Sequence, residues 1–151
     1  MSKRFAEFYI VDVLTAIDRI KRYVSDFKDV DELVRDEKSF DAVIRELEIV
    51  GEAIKHILTS EEIKHLTKDD WRVVVDFRNT IIHEYFGIDV NEVFKVVKDD
   101  INILENEMLY LIKNIGDKTV LYKALECAIE DLNKIHRKES IDYLQKIKEK
   151  L

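Results

Sequence analysis

The stretch from residue 76 to residue 89, DFRNTIIHEYFGID, decides how this 151-residue chain is read, because it puts an arginine where a helical pattern asks for an apolar side chain. If the segment is helical, the residues three, four and seven positions from Arg78 on either side are Trp71, Val74, Val75, Ile81, Ile82 and Tyr85, all apolar or aromatic. Burying a guanidinium among them is costly unless an anion or several acceptors meet it. Two readings stand side by side. In one, the Arg78 stem crosses the core while its head reaches water or pairs with a carboxylate such as Asp76 or Glu46. In the other, Arg78 lines a groove and takes a phosphate on its planar fork of donors.

The rest of the chain reads as helix around that stretch. Proline is absent and there are only three glycines, Gly51, Gly87 and Gly116, so strong helix formers run with few breaks and the fold class is all-α. A first helix is expected over residues 4–27, with Phe8, Val11, Leu14, Ile17 and Ile20 at helical spacing. The acidic connector KDVDELVRDEKS leads to a second long helix over residues 40–58, striped by Val43, Leu47, Val50 and Ile54. TSEE from Thr59 has the form of a capping box, and TKDD from Thr67 a poorer one, so a short helix and a new start precede Trp71. The helix carrying Arg78 then runs over residues 69–85 and stops near Gly87 in the left-handed conformation. Asp89 with Glu92 caps a fifth helix reaching Ile115, and Gly116 closes it. Beyond Asp117, the residues Leu121, Leu125, Ala128, Leu132 and Ile135 alternate steps of four and three, a seam for packing along another helix, repeated briefly by Leu144, Ile147 and Leu151. The organisation is a four-helix core over residues 1–116 with a helical extension over 117–151.

Charge and composition exclude several classes. Glu7 and Asp12 interrupt the apolar N-terminal stretch, so it is not a signal peptide, and no run of eighteen apolar residues exists; a cytoplasmic protein is expected. The net charge is −7, with 17 Lys+Arg against 25 Asp+Glu over residues 1–116 and 8 against 7 thereafter, so any nucleic-acid site must be local. The single Cys127 forms no internal disulfide and reads as a small core residue. His56, His65 and His136 make no two-ligand helical spacing with His83, so no metal site is indicated, and neither a nucleophile elbow nor a glycine-rich loop for a nucleotide cofactor is present.

His83 is the residue to weigh with Arg78, since imidazole both takes and gives a proton near neutral pH. Five residues on, it lies about 140° around the helix from Arg78, while Asn79 shares its face. Convergence of the pair on one substrate needs the reach of arginine or a second copy of the helix across a dimer. Chance alone supplies an arginine five residues before a histidine about 0.2 times in a chain with 8 arginines and 4 histidines, so the pair by itself says little.

The order Arg78, Asn79, three residues, His83, Glu84, Tyr85 resembles the Arg-x4-His-x-Tyr signature of HepT-like proteins, a branch of the HEPN ribonuclease superfamily. DAVIRELEIVGEAIKHI before it, WRVVVDFRNTIIHEYFGID around it and VFKVVKDDINIL after it are similar to that family in order and spacing, over about residues 6–115. The resemblance implies a HEPN-like helical bundle and an RNase toxin of a toxin–antitoxin pair that cleaves RNA without metal. It also implies a homodimer whose cleft unites the catalytic residues, and a partner that is a minimal nucleotidyltransferase antitoxin of the MntA type. Carried over, Arg78 binds the scissile phosphate, His83 is general acid or base, Asn79 orients His83 or the phosphate, and Tyr85 is the tyrosine that the antitoxin modifies with AMP. Residues 117–151 lie outside the resemblance and are expected to cover the core, enlarge the dimer or hold the antitoxin. The acidic balance leaves an alternative: a HEPN binding module without cleavage that recruits or regulates the nucleotidyltransferase.

Overall fold

The computed structural model describes residues 4–84 and 87–151, and every regular element among them is helical. Helix α1 (Ala6–Val24) buries Ile10, Val13, Leu14, Ile17 and Ile20, and α3 (Glu37–Leu58) buries Val43, Leu47, Val50, Ile54 and Ile57. Each stripe follows three- and four-residue steps, so each helix turns one continuous apolar face to the other, and the two form the central pair of the bundle. Between them, the Asp29 side chain accepts the Glu32 N–H to start α2 (Val30–Arg35), and Asp36 accepts the Ser39 N–H to start α3. That second cap is why the long helix begins at Glu37, ahead of the expected residue 40.

Helix α4 (Arg72–His83) follows two short 3-10 turns and packs across α3. Helices α5 (Val90–Lys95) and α6 (Ile101–Asn114) form one run joined by a π-helical segment, Val96–Asp100, and complete the four-helix core expected from the sequence. Asp89 caps α5 as anticipated, its carboxylate accepting the Asn91 N–H at 2.9 Å. The indole of Trp71, buried where α4 begins, donates to Glu107 of α6.

Helices α7 (Thr119–Lys134) and α8 (Lys138–Glu149) pack on each other and on α1, with Leu121, Leu125 and Leu144 fully buried. The seam therefore covers α1. Polar contacts fix it there: Arg19 Nε and Arg22 Nη2 both donate to Ser140 Oγ at 3.2 Å, and Tyr143 Oη donates to Glu105 Oε2 at 2.9 Å. Burial, followed by the nearby Glu105 carboxylate, pushes the Tyr143 phenol above its ordinary range.

Some local expectations change. Thr59 and Ser60 open no helix: Thr59 Oγ1 donates back to the His56 carbonyl, and Ser60 Oγ donates to Glu62 Oε2. A hydroxyl directly after a helix meets the orphan carbonyls of its last turn first. Helix α4 ends at His83, and Glu84 leaves the helical region at φ −127° and ψ 38° while its N–H still reaches the Thr80 carbonyl. Neither Gly87 nor Gly116 takes a positive φ. The left-handed position is His136, at φ 60°, where the next N–H, of Arg137, returns to the Leu132 carbonyl at 3.0 Å and closes α7. Ile135, expected in the seam, stands outside that closed end and is 58% exposed.

Candidate active site

Gly51 sets the geometry around Arg78. A methyl group there would stand 2.2 Å from Arg78 Cβ and 2.7 Å from Cγ, so the missing side chain is what lets the Arg78 stem lie against α3. From that position Arg78 Nη2 reaches Glu52 Oε2 at 2.8 Å, and Nη1 donates to Asn79 Oδ1 at 2.9 Å. Among the described residues, Arg78 Nε is buried with no acceptor. The carboxylate that meets the guanidinium is thus Glu52, and neither Asp76 nor Glu46, the two examples the sequence offered. Glu46 pairs instead with Arg19, Nη1 to Oε1, at 3.3 Å.

The apolar surroundings of Arg78 are shallower than their spacing implied. Trp71 and Ile81 are buried, Val74 and Val75 are half-buried, and Ile82 is exposed. Arg78 itself keeps 23% of its side-chain surface in solvent. The charge sits at the rim of the core, where water shares the solvation of the guanidinium tip while Nε stays desolvated.

The second oxygen of Glu52, Oε1, lies 3.4 Å from His56 Nε2. The His56 ring in turn stacks on Tyr9, with centroids 4.5 Å apart and planes 8° from parallel. Gly51, Glu52, His56 and Tyr9 are therefore neighbours of the arginine that the sequence reading passed over. The available signal was Gly51 itself, since glycine inside a long helix is costly and marks a close approach.

His83 is the last residue of α4 and is exposed, as is Asn79 one turn earlier. The fold brings Arg78 and Asn79 into contact, whereas among the described residues no hydrogen bond or ion pair joins Arg78 to His83. The angular offset expected from the helix is present: Arg78 turns toward α3 and His83 toward solvent. Tyr85 lies outside the described residues. Among the described residues, no three His, Cys, Asp or Glu side chains group as a metal site, and no helix is long and apolar enough to cross a membrane.

Comparison with known proteins places these residues in a family. The family model described as "Ribonuclease HepT-like" matches residues 13–111, which include Gly51, Arg78 and His83. The chain is 38% identical over 106 residues to "Probable ribonuclease HepT" of Thermococcus cleftensis, covering 70% of this chain and 94% of that protein. It is 33% identical over 108 residues to "Putative RNase MJ1380" of Methanocaldococcus jannaschii, covering 72% of this chain and 97% of that protein. No solved structure matches. With the family model spanning most of the four-helix core and relatives matched over nearly their whole length, the chain belongs to the HepT-like ribonuclease family.

Proposed function

We propose that this protein is the toxin of a toxin–antitoxin pair, a metal-independent endoribonuclease that cleaves RNA with Arg78 and His83. The observation that carries the reading is the placement of the motif: a guanidinium positioned by Gly51 and Asn79, and a histidine free in solvent at the end of the same helix. Cleaving RNA without a metal requires activating the ribose 2′-hydroxyl, stabilising the extra charge of the phosphorane and protonating the leaving oxygen. Arg78 binds the phosphate and offsets that charge through its fork of donors. His83 carries the proton, and Asn79 holds the guanidinium in register.

One chain holds Arg78 and His83 on different faces of α4, so the working site is a cleft between two copies. Val73, 68% exposed on α4 and on the flank away from Arg78, gives that helix apolar surface for a second copy. A minimal nucleotidyltransferase antitoxin silences the toxin by placing AMP, a bulky anion, on Tyr85. A test is growth: induced expression of this chain is expected to arrest cells, His83→Ala is expected not to, and co-expression of the nucleotidyltransferase is expected to relieve the arrest. Arrest by His83→Ala equal to wild type contradicts the reading.

Two observations favour a second reading. Glu52 already occupies the guanidinium of Arg78, and the chain carries a net charge of −7. Both suit a HEPN module that binds and regulates its nucleotidyltransferase without cutting RNA, in which Arg78 serves the packing of α4 on α3.

A further inference from the structure

Two clefts flank α4, and their charges differ. Among the described residues, the cleft toward α5 and α6, of about 550 Å³, is lined by Asp70, Asp76, Glu92, Asp100 and Glu107 against the single cation Lys95. Five carboxylates against one ammonium repel a polyanion. The cleft toward α1, of about 380 Å³, is lined by Arg4, Arg45 and Arg78 against Asp12, Glu48 and Glu52, and is balanced. In a chain of net charge −7, that second cleft is the flank of the motif helix that a phosphate chain can approach.

Its shape follows from helix spacing. Arg45, Ile49, Glu52 and His56 recur at three- and four-residue steps and form a floor along one face of α3. The start of α1 makes one wall through Tyr9, and the end of α4 makes the other through Arg78 and Ile82, the residue before His83. The groove is therefore continuous with the candidate active site. Its centre is a planar stack: the Arg4 guanidinium lies 4.8 Å from the Tyr9 ring centroid, and His56 stacks on Tyr9. Between that stack and Arg78 stands one carboxylate, Glu52, with Oε2 toward Arg78 and Oε1 toward His56.

We propose that this groove is the track for single-stranded RNA, with the Tyr9–His56 stack as the platform for the base next to the scissile phosphate and Arg45 as the contact to a neighbouring phosphate. The inference rests on the ribonuclease reading and adds the substrate's path to it. Stacked aromatic rings beside guanidinium groups are what a flexible single strand needs, because every base has a π-face and every step carries a charge. A duplex keeps its bases inside and has no use for the platform. The carboxylate partners of the arginines act as placeholders: Glu48 sits 3.5 Å from Arg45 and yields it when a phosphate arrives. RNA binding thus proceeds by exchange of carboxylates for phosphates, which keeps the groove neutral when empty.

The test is titration of the full-length chain with a short, fluorescein-labelled, single-stranded 2′-O-methyl RNA, read by fluorescence anisotropy. That probe lacks the 2′-hydroxyl and cannot be cut. His56 keeps 42% and Arg45 70% of its side-chain surface in solvent, so neither substitution opens the core. His56→Ala is expected to weaken binding about tenfold, the loss of one base–aromatic stack, while His56→Phe retains it. Arg45→Ala is expected to lower the slope of log affinity against log salt by about 0.7, the contribution of one phosphate on a single strand. Glu48→Gln is expected to tighten binding. With a cleavable RNA, His56→Ala is expected to lower kcat/KM, chiefly through a higher KM. RNA affinity unchanged in His56→Ala and Arg45→Ala, including the case where those variants lose only a protein partner, overturns the groove while the ribonuclease reading stands. Failure of the wild type to bind the probe at low salt overturns both.

Discussion

Gly51 and Arg78 meet at the crossing of α3 and α4 so closely that a Cβ on the glycine would lie 2.2 Å from the Cβ of the arginine. In an open helix, replacing glycine by alanine stabilises by about 1 kcal/mol. Here both carbons are fixed to backbones, and no side-chain rotation relieves the overlap. Gly51→Ala is therefore expected to destabilise the fold, with overpacking costs of about 1–3 kcal/mol exceeding the helix gain, and to reduce cleavage by moving Arg78. Urea unfolding checks the first part; a midpoint equal to or above wild type contradicts it.

The ion pair of Arg78 with Glu52 separates a structural role from a catalytic one. Glu52 keeps 44% of its side-chain surface in solvent, but its Oε2 facing Arg78 is buried, so a replacement that still offers an N–H donor is needed to hold the cost to about 1 kcal/mol. Arg78→Gln keeps the stem and removes the charge. Its unfolding midpoint is expected near wild type, while kcat is expected to fall about 10²-fold or more, as when a donor to a developing negative charge is removed. Loss of stability with full activity reverses the assignment.

Glu46, 6% exposed, links α3 to Arg19 and, among the described residues, leaves its Oε2 without a hydrogen bond. Burial holds its carboxyl above the ordinary 4.5, and Arg19 only partly opposes that. A raised folded-state value means that the native state takes up the proton more readily than the unfolded chain. The contribution to stability is then full below about pH 4.5 and is lost as pH rises through the folded value. Relative to Glu46→Gln, the wild type is accordingly expected to lose stability between pH 4.5 and neutrality. Denaturation midpoints of both proteins across that range are the check, and a difference that grows in favour of the wild type as pH rises contradicts it.

Much of the fold was legible because the chain states it in apolar spacing. The α1 stripe from Val11 to Ile20, the α3 stripe and the seam of α7 over Leu121, Leu125 and Leu132 are buried as spaced, while Phe8 is only half-buried. Helix ends were less legible, since they depend on which hydroxyl or carboxylate wins an orphan group. Asp36 extended α3 backward, and Thr59 closed that helix in place of opening another. Arg78 and Asn79 were legible as neighbours by their adjacency. Glu52 as the partner of Arg78 was not, because pairing across helices follows their crossing, and the crossing is set by Gly51. The stack of His56 on Tyr9 likewise joins residues of two helices that no local pattern connects.

Modification has a direct test at Tyr85. After incubation with the nucleotidyltransferase and ATP, intact mass is expected to rise by one AMP on the wild type and not on Tyr85→Phe. The modified wild type is expected to lose RNA cleavage, whereas Tyr85→Phe is expected to stay active in the partner's presence. AMP found on another residue removes the role given to Tyr85.

The proposed chemistry requires Arg78 and His83 to act together on RNA without a metal. The most direct measurement is cleavage of single-stranded RNA by the purified, unmodified chain in the presence of a chelator, with His83→Ala prepared identically. His83 is exposed at the end of α4, so its removal is expected to leave the fold intact. Cleavage by the wild type, with a loss of about 10²-fold or more in His83→Ala, is the predicted result. Equal cleavage by both proteins, or none by the wild type over a panel of RNAs, would contradict it.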